Sequence, residues 1–218
     1  MIRAVGVPHN FGGPGCGLLT ALIAAMTSTE TESLPLELRD VHEQIEEVRG
    51  QLQQLLFGVS EEAFLWRPEP RRWSISECLV HLDTTAALYT SAIDRAIAAD
   101  QPAAAEESLP RRGFLGRWML NTLEPPVTRR FTAPGAFAPG GPKPLDEVVP
   151  EFLRWQDEVQ QRLVAAKDLD LWRTKVKSPA VPLLKFSLGE TFAIIAAHER
   201  RHLAQAEEVK GSPDFPCS

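Results

Sequence analysis

The chain has 218 residues and a mass of 24.1 kDa, which fits one ordinary domain with some terminal extension. Hydrophobic residues make up 44% and charged residues 24%, so the composition excludes a disordered or fibrous protein and predicts a buried core. The net charge of −6 lacks the basic excess typical of nucleic-acid-binding proteins, although a local basic patch remains compatible with it. We therefore expect no nucleic-acid partner.

The cysteine content and the apolar runs bear on location. Cys16, Cys78 and Cys217 are too few and too scattered for a disulfide framework or a cysteine zinc motif, which favours a reducing, cytoplasmic location. No run approaches the roughly 18 to 20 apolar residues that span a membrane, so we expect no membrane partner.

The N-terminal segment has the length of a signal-peptide core at residues 17–26, but other features of a signal are weak. Only Arg3 supplies positive charge before it, and no clear cleavage site follows. We expect residues 1–33 to be a disordered or misassigned leader, with Met26 as an alternative start.

The first two long helices are predicted from spacing and capping signals. From Leu36 to Leu56, apolar residues recur mostly at intervals of three and four, which predicts an amphipathic helix. Ser60 follows and can open one helical turn. Ser74 and Glu77 have the S-x-x-E spacing of a capping box and open a second helix that runs to about Ala99.

The middle of the chain is less regular. A short helix is predicted from Gly113 to Leu123, and the Pro- and Gly-rich residues 125–144 form a long loop, a type of segment that often covers a site. Helical spacing returns from Leu145 to Ala166 and predicts a third long helix. Pro150 favours a helix start closer to position 150 than to Leu145.

A second capping box, formed by Ser187 and Glu190, opens a fourth long helix that ends by Gly211. No strand pattern of comparable quality is present. The sequence therefore predicts an all-α fold over residues 34–211, with a short tail at 212–218. Its architecture is a four-helix bundle whose long crossover between the second and third helices carries a short extra helix.

Two of the five histidines, His198 and His202, lie one turn apart on the fourth predicted helix. Positions i and i+4 share a helix face, so both imidazoles can converge on one metal ion. They lie in line with the apolar residues Ile194, Ile195 and Ala206, which indicates that they face the core. A solvated polar face is the alternative for the pair taken alone.

His81 is the natural third ligand because it lies on the same stripe of the second helix as Cys78 and Leu82. Alone it would be a satisfied core histidine more often than a ligand, but the pair on another helix favours a ligand. Three neutral imidazoles leave one position open on a divalent ion, as in a catalytic site. The other two histidines are poor candidates: His9 is in the leader, and His42 is on the expected wet face of the first helix.

The string from His198 to His202 also matches the H-E-x-x-H pattern of zinc metalloproteases, in which Glu199 would be the general base. Those enzymes take a third ligand from a later segment, and only residues 203–218 follow here, so we disfavour this alternative. Glu199 remains a candidate base or a partner that orients a ligand histidine. It could also face solvent, because adjacent helix positions differ by about 100°.

These motifs together resemble the DinB-like superfamily of metal-binding four-helix bundles. The resemblance rests on three features: the Arg67-Pro68 loop, the Trp-led helix start of residues 73–82 with its histidine, and the final His198-x-x-x-His202-x-x-Gln205. It extends from about Pro35 to Lys210. Family members often carry another histidine where this chain has Arg201.

The resemblance implies one divalent transition metal, zinc or nickel, held by His81, His198 and His202. It also implies activities such as metal-dependent hydrolysis or transfer of a low-molecular-weight thiol, although many members have no known reaction. We therefore expect a divalent-metal-dependent hydrolase or thiol S-transferase that acts on a small molecule, with homodimerisation as a further expectation.

A non-catalytic metal-binding or stress-related interaction module on the same bundle is the alternative function. It would be favoured if a protein ligand such as Cys78 closed the site. Glu77 is better explained as a helix cap than as a ligand. Gln205 and Trp118 are candidate substrate-binding residues, with core packing or satisfaction of a buried group as the ordinary alternatives. Arg200 and Arg201 are expected to be surface charges.

Overall fold

The computed structural model describes residues 31–99, 113–126, 133–181 and 183–216. These residues contain six α-helices: α1 (Leu36–Leu56), α2 (Glu61–Leu65), α3 (Ile75–Ala99), α4 (Phe114–Leu123), α5 (Leu145–Ala165) and α6 (Leu188–Lys210). Two short strands, β1 (Lys175–Lys177) and β2 (Lys185–Ser187), pair between α5 and α6. Residues 1–30 of the predicted leader lie outside the described residues. No helix of the described ranges is both long and apolar enough to cross a membrane.

Both predicted capping boxes are present and explain where two of the long helices begin. Before α3, the Glu77 amide donates to Ser74 Oγ at 3.1 Å, and the Ser74 amide donates to the Glu77 carboxylate at 3.0 Å. Before α6, Ser187 and Glu190 make the same reciprocal pair. Each box satisfies backbone donors that a helix N-terminus otherwise leaves unpaired.

The four long helices α1, α3, α5 and α6 form the predicted bundle. α3 packs against both α5 and α6, and α1 packs mainly against α6. Among the described residues, two apolar clusters fill the bundle, one around Leu38 and Phe192 and the other around Leu52 and Phe152, and a third around Leu120 and Ile194 packs α4 against α6. On α6 the first two clusters are separated by residues 197–202, which include the two histidines predicted to bind metal. The all-α prediction is confirmed.

The start of α5 differs from the expectation that Pro150 marks it. The helix begins at Leu145, with Asp146 and Glu147 in its first turn, so Pro150 lies inside it. Proline lacks the N–H that would pair with the Asp146 carbonyl. Pro150 and Asp146 are both exposed, so water can satisfy that carbonyl and the helix tolerates the proline.

The antiparallel hairpin of β1 and β2 was not predicted. Each strand has only three residues, too few for a periodic pattern to be recognised. Val176 lies opposite Phe186, and both are buried, while Lys177 lies opposite Lys185 on the exposed face. The hairpin therefore covers one end of the bundle with its apolar side.

The crossover helix α4 is fixed to α6 at both of its ends. At its start, the Gly113 amide donates to Glu190 Oε1 at 2.6 Å. Beyond its end, Arg200 binds the Glu124 carboxylate, and Arg201 donates to the Thr122 carbonyl at 3.0 Å. The expectation that both arginines are surface charges is wrong, since Arg201 is only 6% exposed and both are used to hold the crossover.

Candidate metal centre

Helices α3 and α6 bring three histidines together in the interior. One nitrogen of each of His81, His198 and His202 lies within 4.8 Å of the other two. Nε2 of His198 is 3.2 Å from Nε2 of His81 and 3.1 Å from Nε2 of His202. The predicted i, i+4 pair and its partner on the second long helix therefore converge on one point.

These distances fit a tetrahedral metal ion. Two nitrogens about 2.05 Å from a zinc ion, at the tetrahedral angle, are about 3.3 Å apart. The two Nε2 separations, 3.2 and 3.1 Å, are close to that value. Both separations therefore match those expected for nitrogens that share one tetrahedral divalent ion.

The backbone of the crossover orients His81. Its Nδ1 lies 2.6 Å from the carbonyl oxygen of Phe137, in a single 3-10 turn formed by Gly135–Phe137. A carbonyl can only accept, so Nδ1 carries the proton and donates. In the neutral ring Nε2 is then bare and its lone pair is directed at the cluster, as metal ligation requires.

A strap of residues 137–143 holds this carbonyl in place. Phe137 is buried, and Ser76 Oγ bonds both backbone groups of Lys143, donating to its carbonyl at 2.7 Å and accepting from its amide at 2.8 Å. Gly140 and Gly141 have φ of 64° and 141°, which lets the backbone turn between the two anchors. The predicted loop over the site is therefore, in this part, a strap that positions a predicted ligand.

Burial keeps the three rings neutral. It lowers the pKa of His81, which the hydrogen bond to Phe137 partly opposes. Burial, the neighbouring His81 and Arg201 lower the pKa of His198 to about 3. The pKa of His202 is also lowered, first by burial and then by the other two imidazoles. At neutral pH the cluster therefore presents nitrogen lone pairs to a cation.

Trp73 covers one side of the cluster. Its ring is stacked on His202, with centroids 5.7 Å apart at 28°, and is tilted against His81 at 4.9 Å. It follows that one indole restricts the ring positions of two of the clustered histidines, which lie on different helices. Its place before the capping box was visible in the sequence, but the direction of its side chain was not.

No fourth histidine, cysteine, aspartate or glutamate joins the three in the part of the chain that the structure describes. Cys78 is fully buried in the apolar cluster around Leu52 and Phe152, where burial raises its thiol pKa. His198 is the one partly exposed member of the triad. Within the described ranges, an ion bound by these histidines would therefore have no fourth ligand of these residue types.

The comparison with protein families agrees with this geometry. A family model described as the DinB superfamily matches residues 44–206, about three quarters of the chain, and this range includes all three histidines. The chain belongs to the DinB superfamily. Searches among curated proteins and solved structures gave no significant match.

In this DinB-superfamily chain, Glu199 lies apart from the histidines. Its carboxylate is buried and its Oε2 has no hydrogen-bond partner among the described residues. Gln156 of α5, Arg49 of α1 and Asp83 of α3 are close enough to influence it or to be influenced by it, and Arg49 is itself paired with Asp157. Burial raises the pKa of Glu199 to about 7, opposed by Gln156 and the nearby arginines. All four long helices thus contribute to a polar layer beside the histidine cluster.

Two other candidates have clear positions. Glu77 caps α3 and receives a bidentate bond from Arg67, so its carboxylate is fully used away from the triad. The Gln205 side chain opposes the fall in the pKa of His202, although no hydrogen bond of normal geometry reaches the buried His202 Nδ1. Gln205 is therefore a neighbour of one ligand, and its role in substrate binding stays a prediction.

Trp118 and His42 lie outside the triad. Trp118 is 50% exposed on the outer side of α4, and its role in substrate binding also stays a prediction. The expectation that His42 lies on a wet helix face is wrong, since it is 8% exposed and its Nε2 is 3.3 Å from Thr31 Oγ1. The acidic neighbours of His42 in sequence suggested a solvated face, but the segment before α1 packs over it.

Proposed function

We propose that the chain is a divalent-metal-dependent enzyme of the hydrolase or low-molecular-weight-thiol S-transferase type. The observation that carries this proposal is the convergence of His81, His198 and His202 with no fourth protein ligand among the described residues. Three nitrogen donors with an open position are the arrangement of catalytic sites, whereas structural sites are closed by four protein ligands.

The metal would be zinc or nickel, and it would be held by the Nε2 atoms of the three histidines. Such an ion lowers the pKa of a bound water or thiol so that a nucleophile is available near neutral pH. Nitrogen-rich sites suit zinc and nickel among the divalent ions.

The chain's own residues supply orientation and a dry environment. Phe137 fixes the tautomer of His81 through its carbonyl, and Trp73 excludes water from one side of the rings. Glu77 is used by Arg67 and by the helix cap, away from the histidines. One carboxylate oxygen of the buried Glu199 has no hydrogen-bond partner among the described residues, and we propose Glu199 as a general base or as a residue that orients a ligand histidine. The protein's contribution is therefore to hold three neutral donors in a fixed arrangement.

The remaining parts of the proposal concern substrate, assembly and location. We propose a small-molecule substrate, with a low-molecular-weight thiol as one candidate, and no nucleic-acid or membrane partner. The scattered cysteines support a cytoplasmic location. A homodimer formed through helix faces is a further proposal.

The alternative is a non-catalytic metal-binding or stress-related interaction module. Fold and bound metal alone do not establish catalysis. A measurement of turnover therefore distinguishes the enzyme from this binding module. The burial of Cys78 away from the triad disfavours the form of this alternative in which that thiol closes the site.

The test is turnover by protein loaded with zinc or nickel. Ester, amide and phosphate hydrolysis, and conjugation of a small thiol to an aryl halide, are compared for the parent, His198→Ala and His42→Ala. Turnover that is lost in His198→Ala and kept in His42→Ala, a buried histidine outside the triad, supports the enzyme. A folded, metal-loaded parent protein that catalyses neither the hydrolysis reactions nor the thiol conjugation would favour the binding module.

A further inference from the structure

A cleft of about 390 Å³ lies between the C-terminal part of α3 and β1. Ala92 and Ala96 of α3 supply an apolar wall, and Arg95 lies beside them. Lys175, Lys177 and Ser178 of the hairpin form the facing side. A cleft of this size is in the range that accepts small molecules, about 300 to 1,000 Å³.

The charges in this α3–β1 cleft are all of one sign. Its lining contains three cationic side chains and no carboxylate. Among the described residues, no carboxylate lies within ion-pair distance of Arg95, Lys175 or Lys177. This is a local positive site in a chain whose net charge is −6.

Neutral oxygen atoms hold two of these cations in place without neutralising them. Arg95 Nη1 donates to Ser91 Oγ at 2.8 Å, and Lys175 Nζ donates to the Trp172 carbonyl at 2.7 Å. Because these acceptors carry no net charge, the positive charge stays available to a ligand. Cations fixed before binding lose less conformational entropy when an anion arrives.

The hairpin adds a repulsion that a bound anion would relieve. Lys177 lies directly opposite Lys185 in the antiparallel register, and both side chains are on the exposed face. Like charges at directly opposite positions destabilise a strand pair. The C-terminus of α3 offers only about half a negative charge, so it cannot balance three cations.

We propose that the α3–β1 cleft binds a small molecule that carries a phosphate monoester next to an apolar group. The dianion suits the Arg95 guanidinium and the two lysines, and the alanine wall suits the apolar part. A long polyanion such as a nucleic acid is disfavoured because the remainder of this acidic chain repels it.

This cleft is separate from the metal centre. Arg95 follows His81 by 14 residues on α3, which places the two about 21 Å apart along the helix axis. None of the residues that line the cleft belongs to the histidine triad. Ligand binding there therefore goes beyond the proposed function and can be tested without reference to turnover.

The test is calorimetric titration of the full chain with phenyl phosphate, with inorganic phosphate and with a single-stranded oligonucleotide at low ionic strength. We expect saturable binding at one site, tighter for phenyl phosphate, with at least a tenfold loss of affinity in Arg95→Gln and in Lys177→Gln. Arg71→Gln, which removes the same charge at an exposed position outside the cleft, should bind as the parent does.

Three results would overturn the proposal: no saturable binding of phenyl phosphate, an equal loss in Arg71→Gln, or preferential binding of a single-stranded oligonucleotide. Circular dichroism of each variant is used to check that it is folded. Arg95 and Lys177 are both exposed, so misfolding of their variants is not expected. Metal content that is unchanged in Arg95→Gln would show that the cleft is independent of the histidine triad.

Discussion

The carbonyl oxygen of Phe137 lies 2.6 Å from Nδ1 of His81, which joins the crossover between two bundle helices to a predicted metal ligand. The bond fixes the tautomer of the imidazole, and the strap of residues 137–143 holds the carbonyl through Ser76. Metal affinity should therefore depend on a loop that supplies no ligand of its own.

Ser76→Ala tests this dependence. The change removes both bonds to Lys143 and should lower the free energy of unfolding by about 1 to 3 kcal/mol, since two backbone groups lose their partner. It should also weaken zinc binding about tenfold, as loss of an outer-sphere partner does. Urea unfolding and competition with a chelator measure the two effects.

Thr84→Ala is the matched control for Ser76→Ala. Its hydroxyl donates to the Val80 carbonyl within α3 and does not touch the strap. This variant should bind zinc as the parent does. Unchanged zinc affinity in Ser76→Ala, despite a loss of stability, would show that the strap does not orient His81.

The variant Glu199→Gln tests whether the raised pKa of Glu199 makes the stability of the protein depend on pH. The pKa of Glu199 is raised from 4.5 to about 7, so the folded state binds more protons than the unfolded state between these values. The free energy of unfolding should therefore fall as pH rises from about 4.5 to about 7, by up to about 3 kcal/mol. The neutral amide of the variant lacks this contribution.

The measurement is urea unfolding of metal-free parent and Glu199→Gln across that pH range. The pKa of His198 is lowered to about 3, so its effect has the opposite sign: stability is lost as pH falls below the ordinary value of 6.5. Both proteins contain His198, so its effect cancels in the difference between them. A difference that does not change with pH would show that Glu199 titrates normally.

Gly116→Ala tests the docking of the crossover helix. A Cβ at Gly116 would lie 2.2 Å from Oε1 and 2.5 Å from Cδ of Glu190, whose carboxylate is held by the capping box and by the Gly113 amide. We expect a loss of about 1 to 3 kcal/mol in thermal or urea unfolding, as overpacking produces.

Gly50→Ala is the control in the opposite direction. Gly50 lies within α1, and an added Cβ would have nothing within 4 Å. Alanine there should stabilise the protein by about 0.5 to 1 kcal/mol through helix propensity. Equal effects at Gly50 and Gly116 would contradict the close approach of α4 to Glu190.

The sequence predicted the parts of the structure that depend on local pattern. The capping boxes of Ser74 and Ser187 located two helix starts, because the residues involved are three apart. The i, i+4 spacing of His198 and His202 predicted their common face for the same reason. Their convergence with His81 followed from the apolar stripes and the expected bundle.

Contacts between distant segments were not predictable in this way. The Phe137 carbonyl belongs to the backbone, so no residue type signals its role toward His81. Arg201 looked like a surface charge because its partner, the Thr122 carbonyl, lies on a helix whose docking the sequence does not specify. Pattern shows which side of a helix is apolar, but not which loop packs over it.

The central claim is tested most directly by metal content. The parent, His81→Ala, His202→Ala and His42→Ala are purified without an affinity tag or added metal and analysed by mass spectrometry. We predict about one equivalent of a transition metal in the parent and in His42→Ala, and none in the other two variants. A folded, metal-free parent that takes up neither zinc nor nickel on titration would contradict the three-histidine centre.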